Sequence, residues 1–285
     1  FKSLNTYIFI TTTPELDTIP DFPKSKNTNY YIYIQHALMS THYVYKNNSF
    51  DNYDIIFCCG RYMMNEIRKN ESINNLIPKK LIEHGYSRLD YLLANFQKNK
   101  IVENKNTILF APTWGEKNSL IENGDIVKYI DAALSQGYET ILRPHPESFK
   151  RSIDTIKEIV SKYSDNKKFQ LQDDVSDFDI FSQSSILITD WSGIAFEYAF
   201  TTGNIVLFID TPQKIMNTEY KSLEIVPFEE SMRKEIGYIW DGHQSIRTYH
   251  KKDNLDKILN KNIFNVSTSD EIAVNYIDQL IKQLK

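Results

Sequence analysis

Residues Ile186 to Phe200 read ILITDWSGIAFEYAF, and this stretch sets the fold class. Ile186 to Thr189 is a short buried strand, Asp190 to Gly193 a tight polar turn, and the rest a helix that is apolar nearly all the way round. An α/β protein builds an anion site in this way. The strand ends at the sheet edge, Gly193 removes a side chain where a ligand comes close, and the helix N-terminus presents unpaired N–H groups. A phosphate is the expected guest. The same strand, Ser-Gly turn and helix also serve simply to reverse a chain, so the surrounding sequence has to decide.

Working outward, Ile205 to Ile209 is the next strand downstream. Upstream, Thr107 to Ala111 is a buried strand closed by Pro112-Thr113-Trp114-Gly115, and Ile126 to Ser135 is a helix of clear 3.6-residue period. EKNSLIENGD between them reads as a flexible polar loop. Glu139 to Arg143 is a strand ending at Pro144-His145-Pro146, where the flanking prolines predict that His145 sits in an extended, rigid loop. Ser152 to Tyr163 reads as an amphipathic helix and Phe169 to Leu171 as a short strand. Val175 to Gln183 reads as a helix begun by an acidic cluster, Asp173, Asp174 and Asp177, that suits its dipole. Strand and helix alternate here over about 100 residues, the pattern of a parallel, doubly wound sheet. GxGxxG and Walker loops are absent, so dinucleotide binding and P-loop hydrolysis have no support.

The first part of the chain repeats the theme. Tyr7 to Thr12, Tyr30 to Ile34, Asp54 to Cys59 and Leu81 to His84 read as strands, with helices starting near Arg61 and running from Arg88 to Phe96. His36 falls at the carboxyl end of the second strand, where open α/β sheets hold their ligands. His42, in the loop that follows, reads as a solvated histidine. Gln97 to Asn106 loses hydrophobicity and is the expected linker. The domain reading is therefore 1–97, an N-terminal lobe; 107–260, a C-terminal lobe; and 261–285, a C-terminal helix. At about 95 residues the first lobe is small, and part of it is expected to lie in a segment preceding Phe1.

The 285 residues carry 33 Lys and Arg against 37 Asp and Glu, a net charge of −4 that argues against general nucleic-acid binding. Any anion site is therefore local. Cys58 and Cys59 are adjacent, which fits neither a disulfide framework nor a zinc site and suits a reducing cytoplasm. The sequence has no run of about 18 apolar residues.

Three strand-end signals of the second lobe, APTWG (Ala111 to Gly115), RPHPE (Arg143 to Glu147) and TDWSGIAFEYA (Thr189 to Ala199), resemble in order and spacing the CDP-glycerol glycerophosphotransferase family, the teichoic-acid polymerases and primases. YIQHA, DIIFCCG and GYSRLDYL resemble the family's first-lobe pattern, although the family's Trp-His-Gly surroundings are missing around His36. Where family members have Asp-Tyr-Ser-Ser, this chain has Asp190-Trp191-Ser192-Gly193.

The resemblance implies a GT-B-like α/β fold, two Rossmann-like lobes with parallel sheets facing across a cleft, 1–97 being the acceptor-side lobe, with part of that side in a segment preceding Phe1, and 107–260 the lobe that binds the donor nucleotide. It implies a bacterial, metal-independent transferase of cell envelope biogenesis. Such an enzyme moves a glycerol-phosphate or ribitol-phosphate group from a CDP-linked donor to a hydroxyl of a glycan or lipid-linked glycan acceptor and releases CMP. His36 is the implied general base. His145, Ser192, Gly193, Arg143, Thr113, Asp190 and Glu197 map onto donor diphosphate or nucleotide binding, Glu197 either accepting from ribose hydroxyls or lying on the helix surface. Neither a metal site nor a cofactor other than the CDP-alcohol is implied, and nucleic acid is not a partner. The expected location is the cytoplasm, with or without peripheral association at the inner face of the plasma membrane. Two rivals stay open. One is a GT-B glycosyltransferase using a CMP- or UDP-sugar in capsule or lipooligosaccharide synthesis, since capsule sialyltransferases also carry a His-Pro pair and a serine-containing phosphate turn. The other is a non-catalytic nucleotide-binding scaffold.

Overall fold

The computed structural model describes residues 1–98, 106–115, 118–174 and 179–284. The chain opens with β1 (Asn5–Thr11), β2 (Asn27–Ile34), β3 (Ile55–Cys58), α1 (Arg61–Ile73), β4 (Lys80–Glu83) and α2 (Ser87–Lys98). Then follow β5 (Thr107–Phe110), α3 (Ile126–Ser135), β6 (Glu139–Leu142), α4 (Pro146–Arg151), α5 (Ile153–Lys162) and β7 (Phe169–Leu171). Next come α6 (Ile180–Gln183), β8 (Ile186–Thr189), α7 (Ile194–Thr202) and β9 (Ile205–Phe208). The remainder holds α8 (Phe228–Ile236), β10 (Tyr238–Ile239), α9 (Leu255–Asn262) and α10 (Ser269–Leu284).

The chain forms two compact units. Unit 1 comprises Phe1–Tyr91, Ile215–Glu230 and Lys257–Lys285, and unit 2 comprises Leu92–Lys214 and Ser231–Asp256. The sequence reading gave 107–260 wholly to the second lobe. The compact unit instead loses Ile215–Glu230, a stretch whose prolines and mixed polarity carry no periodic signal. Polar contacts fasten that segment to unit 1. Met216 N donates to Tyr43 O at 2.9 Å, Asn217 Nδ2 to His42 O at 3.0 Å, and Ser40 N and Oγ both donate to the Glu229 carboxylate at 2.9 Å.

Unit 1 is built on a parallel sheet of order β1-β2-β3-β4. One face packs Tyr31, Tyr33, Ile56 and Cys58 on Met63 and Ile67 of α1 and on Phe22, Phe50 and Tyr53. The other face, Ile32, Ile55 and Phe57, is covered by Leu280, Tyr276 and Ile277 of α10. The C-terminal helix therefore completes the first sheet. The end of α9 and the connection into α10 explain two glycines: a Cβ on Gly60 would lie 1.9 Å from the Asn262 carbonyl oxygen, and one on Gly85, at φ +103°, 2.4 Å from that of Phe264. Cys58 and Cys59 are free and buried.

Unit 2 carries a parallel sheet of order β10-β9-β8-β5-β6-β7. Its core joins Ile108 and Phe110, Leu142, Ile186 and Ile188 and Leu207 to Ile126, Ile130 and Ala133 of α3. On the other face α7 is buried on nearly every side, as its lack of a polar stripe requires. The expected flexible polar loop after Gly115 is anchored instead, since Ser119, Leu120 and Ile121 are buried and the last two join the core. The expected helix from Val175 is observed over Ile180–Gln183, residues 175–178 lying outside the described residues, as do 99–105 of the expected linker. Among the described residues, no helix is long and apolar enough to cross a membrane.

Candidate functional site

In unit 2 the strand order reverses between β5 and β8, and ligands of open α/β sheets bind in the crevice beyond the carboxyl ends at such a point. The loops after β5 and β8 meet there. Thr113 N donates to Asp190 Oδ1 at 2.7 Å, and the Leu120 and Trp191 backbone N–H groups also act on the carboxylate. Burial pushes the Asp190 carboxyl up to about 6, against the opposing pull of those N–H bonds. Asp190 was expected to touch the donor. At 0% exposure it lies beneath the crevice and ties the two loops together, and Thr113 is its buried partner. Asp190→Ala strands the buried Thr113 N–H and is expected to cost about 1–3 kcal/mol in urea unfolding.

Beyond Asp190 the chain turns into α7. Gly193 has φ −62° and ψ −17°, right-handed helical values open to any residue, so its contribution is the missing side chain and not an unusual backbone. Ser192 is half-buried just ahead of the helix, and its carbonyl accepts from Ala195 N at 3.2 Å. Glu197 is buried, unlike the surface carboxylate or open ribose acceptor expected of it. Trp191 donates its indole N–H to Thr211 O at 2.8 Å and carries the Arg233 guanidinium 3.7 Å above its ring. Arg233 also donates to Ile209 O at 3.1 Å and pairs with Asp210 at 3.3 Å.

At the end of β6, Arg143 is buried and its N–H donates to Phe110 O at 2.8 Å. His145 is extended at φ −63°, ψ 146°, as its flanking prolines require, but Pro146 opens the short helix α4 instead of continuing a loop. His145 caps that helix, its Nδ1 accepting from Glu147 N at 3.1 Å. An accepting Nδ1 puts the proton of the neutral ring on Nε2. Desolvation, with Lys214, Lys150 and Arg143 nearby and Glu147 opposing, lowers the pKa of His145 to about 4. The ring is thus a neutral N–H donor at physiological pH.

Lys214 completes this corner and was absent from the sequence reading. Its Nζ stands 3.3 Å from the Trp114 ring centroid and donates to Trp114 O at 3.1 Å. Arg151 lies 5.0 Å from the same ring, and the His145 ring 6.1 Å from it. Desolvation, reinforced by Arg151 and opposed by Asp190, Glu122 and Glu147, lowers Lys214 to about 8. Its one sequence signal is position, since TPQK lies in the loop after β9, the same topological position as the other loops. The partly desolvated Lys214 and the buried Arg143 beside a neutral N–H donor favour a bound anion.

In unit 1, His36 follows β2 and is exposed. Its Nδ1 is 3.2 Å from Tyr33 Oη, and Tyr86 Oη holds its carbonyl at 2.9 Å. The surrounding protein desolvates the ring enough to lower its pKa; the Thr12 carbonyl opposes this and Arg88 adds to it. His42 is not solvated. It is buried, its Nδ1 3.4 Å from Glu66 and its Nε2 3.1 Å from Ile225 O; desolvation pulls its pKa down, but Glu66, Ile225 O and the Glu229 charge together outweigh it and the pKa is raised. Among the described residues, no group of three or more His, Cys, Asp or Glu side chains is placed to hold a metal ion.

Comparison with solved structures shows the same fold in the wall teichoic acid polymerase TagF. A histidine-to-asparagine variant soaked with CDPG aligns over 98% of this chain and 73% of its own, at TM-score 0.59 and 17% identity. A histidine-to-alanine variant aligns over 98% and 74%, at TM-score 0.57 and 17% identity. No curated protein matches the chain in sequence. The family model for CDP-glycerol:poly(glycerophosphate) glycerophosphotransferase matches residues 8–213. That span takes in His36, the Thr113–Asp190 tie, His145 and the turn into α7, and with it the chain belongs to the CDP-glycerol:poly(glycerophosphate) glycerophosphotransferase family.

Proposed function

We propose that this protein transfers a phosphoalcohol of the glycerol-phosphate or ribitol-phosphate type from a CDP-linked donor to a hydroxyl of a cell-surface glycan acceptor, releasing CMP. The observation that carries the reading is the neutral His145 N–H donor set among Arg143, Lys214 and Arg151. Family membership and the fold shared with a polymerase soaked with CDPG support it. Unit 2 binds the donor diphosphate through His145 Nε2–H, Lys214, Ser192 and the first N–H groups of α7. The acceptor oxygen bonds to the β-phosphorus, the bond to the CMP oxygen breaks with its electron pair, and His36 takes the acceptor proton. Charge on the phosphoryl oxygens and on departing CMP is met by groups already in place. Arg143 and Arg233 shape this corner from beneath, while Asp190 and Glu197 act through the loop and helix that they anchor.

The test offers the protein CDP-glycerol, CDP-ribitol, CMP-sialic acid and UDP-sugars in turn with a glycan acceptor and follows CMP or UDP release. Turnover with a CDP-alcohol is expected. Turnover confined to a sugar nucleotide overturns the reading.

A further inference from the structure

A histidine acts as a base only at the ring nitrogen that lacks a proton, so the hydrogen bond at its other nitrogen decides whether it is competent. At His36 that bond runs to Tyr33 Oη, 3.2 Å from Nδ1, and either partner can donate. The rest of the network settles the direction. Gln35 donates its amide Nε2 to Met39 O at 3.3 Å, which turns its Oε1 toward two phenols, Tyr33 Oη at 2.6 Å and Tyr45 Oη at 3.3 Å. An amide oxygen can only accept, and a phenol has a single proton. Tyr33 spends that proton on the short bond to Gln35, so toward His36 its oxygen is an acceptor and Nδ1 must be the donor. Tyr33 is 0% and Gln35 3% exposed, so water does not replace either contact.

We infer that Gln35 and Tyr33 are positioning residues that fix the tautomer of His36, holding the proton on Nδ1 and leaving Nε2 with its lone pair for the acceptor hydroxyl; this rests on the reading of His36 as the base. Burial raises the pKa of both phenols, Tyr33 well above its ordinary value, so both keep the protons the relay needs. The other groups acting on the ring are the Thr12 carbonyl after β1, which favours the imidazolium once formed, Arg88 of α2, which disfavours it, and Tyr45, packed edge-on at 5.9 Å. The orienting group is therefore a neutral phenol, where serine hydrolases use a carboxylate. Such an orienter fixes the tautomer without drawing the histidine toward its charged form, and the base stays unprotonated at neutral pH.

The test uses a sign that packing alone does not produce. In Gln35→Met the Tyr33 proton loses its acceptor and turns to His36 Nδ1, which moves the ring proton to Nε2. The expected result is a kcat about 10- to 100-fold lower with donor KM unchanged. Adding Tyr33→Phe removes the unwanted donor, so the double variant is expected to be faster than Gln35→Met alone. Nitrogen-15 NMR of the intact protein is expected to show His36 as Nδ1–H in the wild type and Nε2–H in Gln35→Met. Should Gln35→Met fold poorly, Gln35→Glu keeps both phenol acceptors and is expected to retain the tautomer, with the acid limb of the rate moved to higher pH. A double variant no faster than the single, or an unchanged tautomer and rate in Gln35→Met, overturns the inference. His36→Ala with near-normal turnover would instead overturn the base reading beneath it.

Discussion

Replacing His36 by alanine is expected to lower kcat by about 10²- to 10⁴-fold, the usual contribution of a positioned general base. Donor affinity, measured by calorimetry with CDP-glycerol, is expected to stay within about twofold, because the proposed donor contacts belong to unit 2 and His36 to unit 1. The pH dependence has a definite sign. An ordinary histidine titrates near 6.5, and desolvation holds His36 below that value. The base is therefore competent throughout the neutral range, and kcat/KM is expected to fall only as pH drops through the lowered pKa. A rate-profile acid limb above 6.5, or a variant that still turns over near the wild-type rate, removes His36 from the chemistry.

How much of this was legible in the sequence depends on the kind of signal. Strands at Ile186 to Thr189 and Thr107 to Phe110 announce themselves as continuous apolar runs because a parallel strand is covered on both faces. The helix Ile126–Ser135 shows its 3.6-residue stripe. Strand-end loops are legible as such, so the sequence alone puts His145 and Ser192 at strand ends of unit 2 and His36 at a strand end of unit 1. What stayed hidden was set by contacts distant in sequence. Asp190 was read as a ligand contact, yet its partner, Thr113, is 77 residues away, and no local pattern distinguishes an acid that faces the ligand from one that braces the loops beneath it. The segment Ile215–Glu230 belongs to unit 1 through bonds to Ser40, His42 and Tyr43 that run about 175 to 190 residues back along the chain, beyond the reach of periodicity. Lys214 was missed for a different reason. A lysine after a strand is by default a solvated charge, and only its seat on Trp114 shows otherwise.

His145→Ala is expected to raise the donor Kd about 10- to 100-fold, the loss of one hydrogen bond to a charged phosphate. A further drop in kcat is expected, because the same N–H would meet charge that grows as CMP departs. Removing the side chain also uncaps α4, so His145→Gln, whose amide can donate in place of Nε2–H, separates binding from local folding and is expected to recover part of the affinity. The pH behaviour distinguishes a neutral donor from a cation. With His145 titrating at about 4, donor affinity should be flat between about pH 5 and 7, since no proton joins the ring there. An affinity that climbs as pH falls through 6, and stops climbing in His145→Ala, would mean that the ring binds as an imidazolium. On the alkaline side the positive charge is that of Lys214, which is lost as pH rises through about 8, so affinity should decline there and Lys214→Met should abolish the decline. The division of labour has a chemical consequence. Departing CMP is a dianion, and a site whose closest donor is neutral can stabilise the forming charge by direction, with a partly desolvated lysine supplying attraction that bulk solvent can still screen, so that product is not held as tightly as two fixed cations would hold it.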